Sequence, residues 1–70
     1  MEEIFLREGE EWIKLSQAMK KVSLVDSGAE AKMRIRLGEV TVNGEAEERP
    51  GRKLVPGDLV GFQGKTWRVH

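Results

Sequence analysis

Between Ser27 and Gly44 the chain carries a helix start, a helix stop and a hairpin turn in one uninterrupted stretch, S-G-A-E-A-K-M-R-I-R-L-G-E-V-T-V-N-G. Ser27-Gly28-Ala29-Glu30 has the capping-box form S-x-x-E, in which the hydroxyl and the carboxylate accept from backbone N–H groups that a helix start leaves unpaired. The helix predicted from there runs through Leu37 and stops at Gly38, the expected C-terminal glycine. Within it, Ala31 and Ile35 share one face, and Lys32 and Arg36 project together on the adjoining one. Arg34 points away from Lys32. After Gly38 the apolar period becomes two, at Val40 and Val42, and Asn43-Gly44 is the strongest short hairpin signal. A return strand is expected over residues 45–48.

The flanking segments extend this pattern. Ile4 to Leu6 reads as a short strand, followed by a polar connection with a turn at Gly9. Leu15, Ala18, Met19 and Val22 form the apolar stripe of a first helix, with Ser16 as its expected N-cap. Pro50-Gly51 and Pro56-Gly57-Asp58 are turns. Leu59 to Phe62 and Thr66 to Val69 read as a last hairpin around Gln63-Gly64-Lys65, with Trp67 and Val69 on one face. The order is a short strand, two helices, then a small antiparallel sheet. That is an α+β domain, one unit over residues 1–70.

Several functional classes find no support in this sequence. A chain of 70 residues has a thin core and little room for a deep pocket. It has no cysteine, which excludes disulfides and thiolate metal sites. The single histidine, His70, is expected to be frayed and cannot make a metal site alone. The adjacent acids Glu2-Glu3, Glu10-Glu11 and Glu47-Glu48 point to opposite faces of extended segments and do not converge as an acid/base pair. The glycines match neither the phosphate-binding loop nor the dinucleotide fingerprint. No enzyme activity, cofactor, metal or small-molecule substrate is therefore expected. No apolar run is long enough to span a membrane. The acidic start is the opposite of a signal or transit peptide, so the expected compartment is the cytoplasm.

Charge gives the positive signal. The chain has twelve Lys and Arg and twelve Asp and Glu, yet they are segregated. Acidic blocks at residues 1–12 and 39–48 alternate with basic blocks at 13–38 and 49–70. Basic blocks that meet in space would form one positive face on a neutral molecule. Arg49-Pro50-Gly51-Arg52-Lys53 holds three cations around a rigid turn, where an anionic partner would relieve their repulsion and arginine forks suit phosphate oxygens. The alternative is a solvated loop in which the flanking Glu47 and Glu48 are the partners of these cations.

The stretch Ser27 to Gly44 resembles the RNA-binding domain first described in ribosomal small-subunit protein four, the alpha-L motif. Ser27, Glu30, Ala31, Ile35, Gly38, Val40, Val42, Asn43 and Gly44 fit the family pattern S-x-x-E-A-x-x-x-I-x-x-G-x-V-x-V-N-G. Gly51 to Asp58, G-R-K-L-V-P-G-D, resembles its closing strand and turn. The resemblance covers residues 13–69 and is strongest to small stand-alone bacterial members of the YbcJ and YaaA kind. It implies two short helices packed on a small antiparallel sheet, with structured RNA across the basic surface. Ribosomal RNA, tRNA or a ribosome intermediate is the expected partner of a monomer. One departure is Gly28, where many members carry an arginine that contacts RNA.

With the core assigned, Lys14, Lys20, Lys21, Lys32, Arg36, Arg49, Arg52 and Lys53 are left as the expected RNA-binding residues. Duplex RNA is read through backbone and shape, which needs cations and donors. Phe5, Trp12, Phe62 and Trp67 are assigned to core or rim. Lys32 and Arg36 are expected near Arg49, Arg52 and Lys53. The acidic block is expected to repel RNA, so that neutralising Glu47 and Glu48 would raise affinity slightly. The alternative reading is a protein-interaction module that uses its charge blocks. A third is a DNA-binding helix pair, disfavoured because the second helix must also supply Ala31 and Ile35 to the core.

Overall fold

The computed structural model describes residues 2–70. In chain order the elements are β1 (Glu2–Ile4), β2 (Ile13–Lys14), α1 (Leu15–Lys21), α2 (Gly28–Arg36), β3 (Val40–Val42), β4 (Glu45–Ala46), β5 (Lys53–Leu54), β6 (Leu59–Phe62) and β7 (Lys65–Val69). Five strands make one sheet in the order β1-β7-β6-β3-β4, and β2 and β5 form a separate two-stranded ladder. All pairs are antiparallel except β1 with β7.

The two helices begin by different means. Ser27 caps α2 from an extended conformation, and its Oγ accepts the Glu30 N–H at 3.1 Å. Glu30 completes the cap one residue further out than a capping box does: its Oε1 accepts from the Asp26 N–H at 2.9 Å. For α1, the expected cap at Ser16 is wrong. Lys14 occupies the N-cap with no side-chain bond, and Ser16 lies buried inside the first turn. Carbonyls from a distant loop receive the N–H groups of that turn: Leu15 donates to Arg52 at 2.9 Å and Ser16 to Pro50 at 3.1 Å. A side-chain cap is unnecessary where main chain supplies the acceptors.

Helix α2 ends as its glycine predicts. Gly38 has φ +78°, its N–H donates to Ile35, and the Glu39 N–H donates to Arg34. This is the Schellman arrangement. The apolar contact that usually closes it is replaced by an ion pair, Arg34 Nη1 to Glu39 Oε1 at 3.2 Å. Arg34 also lies 3.8 Å from Glu30, so this arginine is committed to its own helix.

Strand alternation places Val40, Val42, Val60, Phe62, Trp67, Val69 and Ile4 in the core, where they join Leu15, Ala18, Met19, Ala31 and Ile35 from the helices. Each large apolar side chain buried this way contributes roughly 1.5–3 kcal/mol. Two tight turns shape the sheet. Asn43-Gly44 and Gln63-Gly64 all have positive φ, the geometry of two-residue hairpins whose twist matches the strands. The second hairpin is tighter than expected, with Lys65 already in β7. Between its neighbours Thr41 and Thr66, Gly61 has no room for a side chain: a Cβ there would sit 2.3 Å from Thr41 Oγ1.

Asn43 ties two turns together. Its Nδ2 donates to Asp58 Oδ1 at 3.1 Å, and its Oδ1 accepts the Leu59 N–H at 2.9 Å. Asp58 Oδ2 accepts the Val55 N–H at 2.9 Å, closing the Pro56-Gly57 turn. The N-G and P-G-D segments of the sequence pattern are thus one hydrogen-bonded unit.

At the start of the chain, the strand is Glu2–Ile4, with Ile4 opposite Val69. His70 is ordered, contrary to its expected fraying. Its N–H donates to the Ile4 carbonyl at 2.8 Å, its carbonyl accepts from Leu6 at 3.0 Å, and its ring stacks on Phe5 at 5.2 Å. Its Nε2 lies 3.1 Å from Glu3 Oε1.

Replacing Ser27 by Ala removes the acceptor for the Glu30 N–H and should destabilise the domain by about 0.5–2 kcal/mol. Urea denaturation monitored by circular dichroism measures this. A variant as stable as the parent would mean that the Asp26–Glu30 bond alone holds the helix start.

Candidate nucleic-acid interface

The Arg49–Lys53 loop is fixed from two sides. The first anchor is the start of α1, which donates to the carbonyls of Pro50 and Arg52. The second is Glu47. The hairpin register sets Glu47 opposite Val40, whose carbonyl accepts the Glu47 N–H at 2.9 Å, and this turns the side chain to the buried face. Glu47 is 7% exposed. Its Oε2 accepts from Arg49 Nε at 2.9 Å and from the Arg49 N–H at 3.2 Å. Its Oε1 accepts from Arg49 Nη2 at 3.1 Å and Arg52 Nη1 at 2.7 Å. Glu47 is therefore the internal counter-ion of the loop. The neighbouring Glu48 is exposed.

These bonds hold the Glu47 carboxyl at a pKa of about 2, against an ordinary 4.5. The Arg49 bond is the largest cause, burial opposes it, and Arg52 adds to the lowering. The same pair raises the Arg49 pKa. Arg49 nevertheless keeps 74% of its side chain exposed and Arg52 33%. Both retain N–H donors that Glu47 does not use.

The lysines gather beside this loop. Lys14 from β2, Lys20 from α1 and Lys32 from α2 line one groove together with Ser16, Gln17, Gly28 and the Pro50-Gly51 turn. Arg49, Arg52 and Lys53 line the adjoining hollow around Gly51. Lys53 Nζ rests 4.7 Å from the centre of the Trp12 ring, a cation–π contact. Lys21 lies further round α1, where it and Lys20 line a third hollow with Arg7 and Glu10. Its Nζ donates to the Phe5 carbonyl. Seven of the eight expected residues thus surround three neighbouring hollows. Arg36, in the last turn of α2, does not line the groove that holds Lys32.

Gly28 opens onto the central groove, and a Cβ there would meet nothing within 4 Å. The position has room for the arginine common in the resembled family. Arg7 adds a cation to the third hollow, a placement that its acidic sequence neighbours conceal. Trp12 is 39% exposed and Phe5 58%, whereas Phe62 and Trp67 are buried in the core. Among the described residues, no three His, Cys, Asp or Glu side chains converge as a metal-ligand set. No helix among them is long and apolar enough to cross a membrane.

Two helices and an antiparallel-dominated sheet, with a basic loop clamped against the first helix, define an α+β domain of alpha-L type. The S4 domain family model matches residues 5–70, and the chain belongs to that family. It is 43% identical over 54 residues to RlbA of Bacillus subtilis (strain 168), described as a probable ribosome maturation protein, covering 77% of this chain and 76% of that one. It is 37% identical over 57 residues to YbcJ of Escherichia coli (strain K12), covering 81% of each. The solution structure of Escherichia coli YbcJ, described as an alpha-L motif involved in RNA-binding, superposes with a TM-score of 0.70 at 33% identity. That match spans 99% of this chain and 86% of YbcJ. The family match begins eight residues before the expected resemblance and takes in Phe5, Arg7 and Trp12.

The depressed Glu47 pKa makes stability depend on pH in a definite direction. A carboxyl that is more acidic in the folded state stabilises it fully above pH 4.5, and the contribution is lost as pH falls toward 2. Glu47→Gln should lower stability by about 1–3 kcal/mol at neutral pH. The gap between variant and wild type should narrow steadily between pH 4.5 and 2 in thermal unfolding. A gap that does not change with pH would show that the ion pairs are not its source.

Proposed function

We propose that this domain binds structured RNA through its phosphate backbone and catalyses no reaction. The observation that carries the reading is the convergence of Lys14, Lys20 and Lys32, from three different elements, on the turn that presents Arg49 and Arg52. Cations that are neighbours in space but not in sequence make a surface suited to a polyanion, although the chain as a whole is neutral. Family membership and the relatives support the same reading. YbcJ is described as RNA-binding and RlbA as acting in ribosome maturation. Ribosomal RNA, tRNA or a ribosome intermediate is the partner class we assign, with the domain acting as a monomer in the cytoplasm.

The contacts are expected to come from Lys14, Lys20, Lys21, Lys32, Arg49, Arg52 and Lys53, with Arg36 at the periphery. The groove is shallow and its side chains are flexible cations, an arrangement that follows the shape and charge of a helix and does not read base edges. The exposed Trp12 is occupied by Lys53 and forms the rim of this surface.

Salt dependence tests the reading. With about three to five phosphate contacts, log affinity for a labelled ribosomal RNA stem-loop should fall against log salt with a slope of about −2 to −5. The double variant Arg52→Ala/Lys53→Ala should bind every structured RNA more weakly to a similar degree and with a flatter slope. Fluorescence anisotropy across a salt series measures both. Equal affinity and equal slope for variant and wild type would remove this loop from the interface.

A further inference from the structure

The least expected feature of the basic surface is the acid at its centre. An anion-binding loop gains nothing in net charge from a glutamate, and a buried carboxylate must be held by strong partners to remain ionised. Glu47 meets that condition with four bonds, three from Arg49 and one from Arg52. Its bidentate grip on Arg49, through Nε and Nη2, fixes the plane of the guanidinium as well as its position. Arg52 is gripped at the same carboxylate and its own carbonyl accepts the Leu15 N–H, so it is held at both side chain and backbone. The Arg52 N–H donates to the Arg49 carbonyl at 3.1 Å, which closes the turn between them. Without Glu47 the two arginines would be long side chains on a surface turn, each losing rotamer entropy on meeting a phosphate.

We infer that Glu47 is a positioning residue for RNA: its carboxylate sets Arg49 and Arg52 in a fixed geometry, so that neutralising this acid weakens binding. The inference rests on the RNA-binding reading above. Simple charge counting gives the opposite sign, since removing one negative charge from a cationic loop strengthens its field. Arg49 and Arg52 line the hollow around Gly51, and Gly51 also lines the lysine groove, so the two arginines stand beside it, where order in their side chains matters most.

The test is a set of variants assayed by anisotropy against a labelled ribosomal RNA stem-loop at neutral pH, with folding checked by amide NMR. Glu47→Gln should bind roughly three- to tenfold more weakly than wild type. Glu47→Asp, which keeps the charge but shortens the reach, should also bind more weakly although the loop's net charge is unchanged. In a background of Arg49→Ala/Arg52→Ala, Glu47→Gln should have no further effect, because the groups it positions are absent. Affinity equal to or above wild type in Glu47→Gln would overturn the inference, and so would an undiminished loss in the double-arginine background. If the inference fails while Arg52→Ala/Lys53→Ala still loses affinity, RNA binding by this face stands. If wild type itself shows no RNA affinity, both readings fall together. Should Glu47→Gln not fold, Glu47→Asp and its combination with the arginine variants decide the matter.

Discussion

The clasp between Asn43 and Asp58 is the contact on which the geometry of the sheet depends. A side-chain amide offers a donor and an acceptor at a fixed spacing, and Asn43 uses both, one on Asp58 and one on the Leu59 N–H. The bond fixes where β6 begins relative to the β3 turn, and hence the pairing of Val40 with Phe62 and Val42 with Val60. A slip of β6 by one residue would turn Val60 and Phe62 to solvent. Once β6 is placed, β7 follows through its tight hairpin, and β1 then adds along β7. At the other side of β3 the Asn43-Gly44 hairpin sets the register that brings Glu47 beside Val40, and Glu47 holds the arginines of the basic face.

The basic surface is therefore a product of the sheet and not an addition to it. The helix pair contributes Lys20 and Lys32, but the groove between them is closed by a turn whose shape comes from β4 and β5. Helix α1 has no cap of its own and takes its first-turn acceptors from that turn. Loop and helix stabilise each other, so the start of α1 cannot fray without releasing the loop, and the loop cannot move without uncapping the helix. This reciprocity gives a seven-residue helix, too short to persist alone, a fixed position.

What could be read from the sequence was local. The α2 cap, its glycine stop, the alternation of Val40 and Val42 and the Asn43-Gly44 turn are each decided by residues within a few positions of one another. What could not be read was set at a distance. Ser16 looked like a cap because serine often is one, but the acceptors for α1 come from residues 50 and 52. Parallel pairing of β1 with β7 joins residues from opposite parts of the chain, and no local pattern encodes it. Glu47 and Glu48 are chemically identical neighbours, yet one is buried and the other exposed. Extending the hairpin register from Asn43-Gly44 would have placed Glu47 against Val40, and that signal was available. A count of cations outside the core carries no information on which element edge they share, so neither the position of Arg36 outside the lysine groove nor that of Arg7 beside Lys20 is encoded locally.

The sheet ends in two very short strands, β1 with Glu2 and Glu3 exposed and β4 with Glu45 exposed. An open strand edge is a template on which another chain can add, and a molecule with no net charge lacks the mutual repulsion that keeps copies apart. Acids on both edges supply that repulsion locally, where two sheets would have to meet. The edges can resist edge-to-edge aggregation while the cations remain concentrated on a different face. Segregated charge thus lets a neutral protein stay dispersed at one surface and attract a polyanion at another.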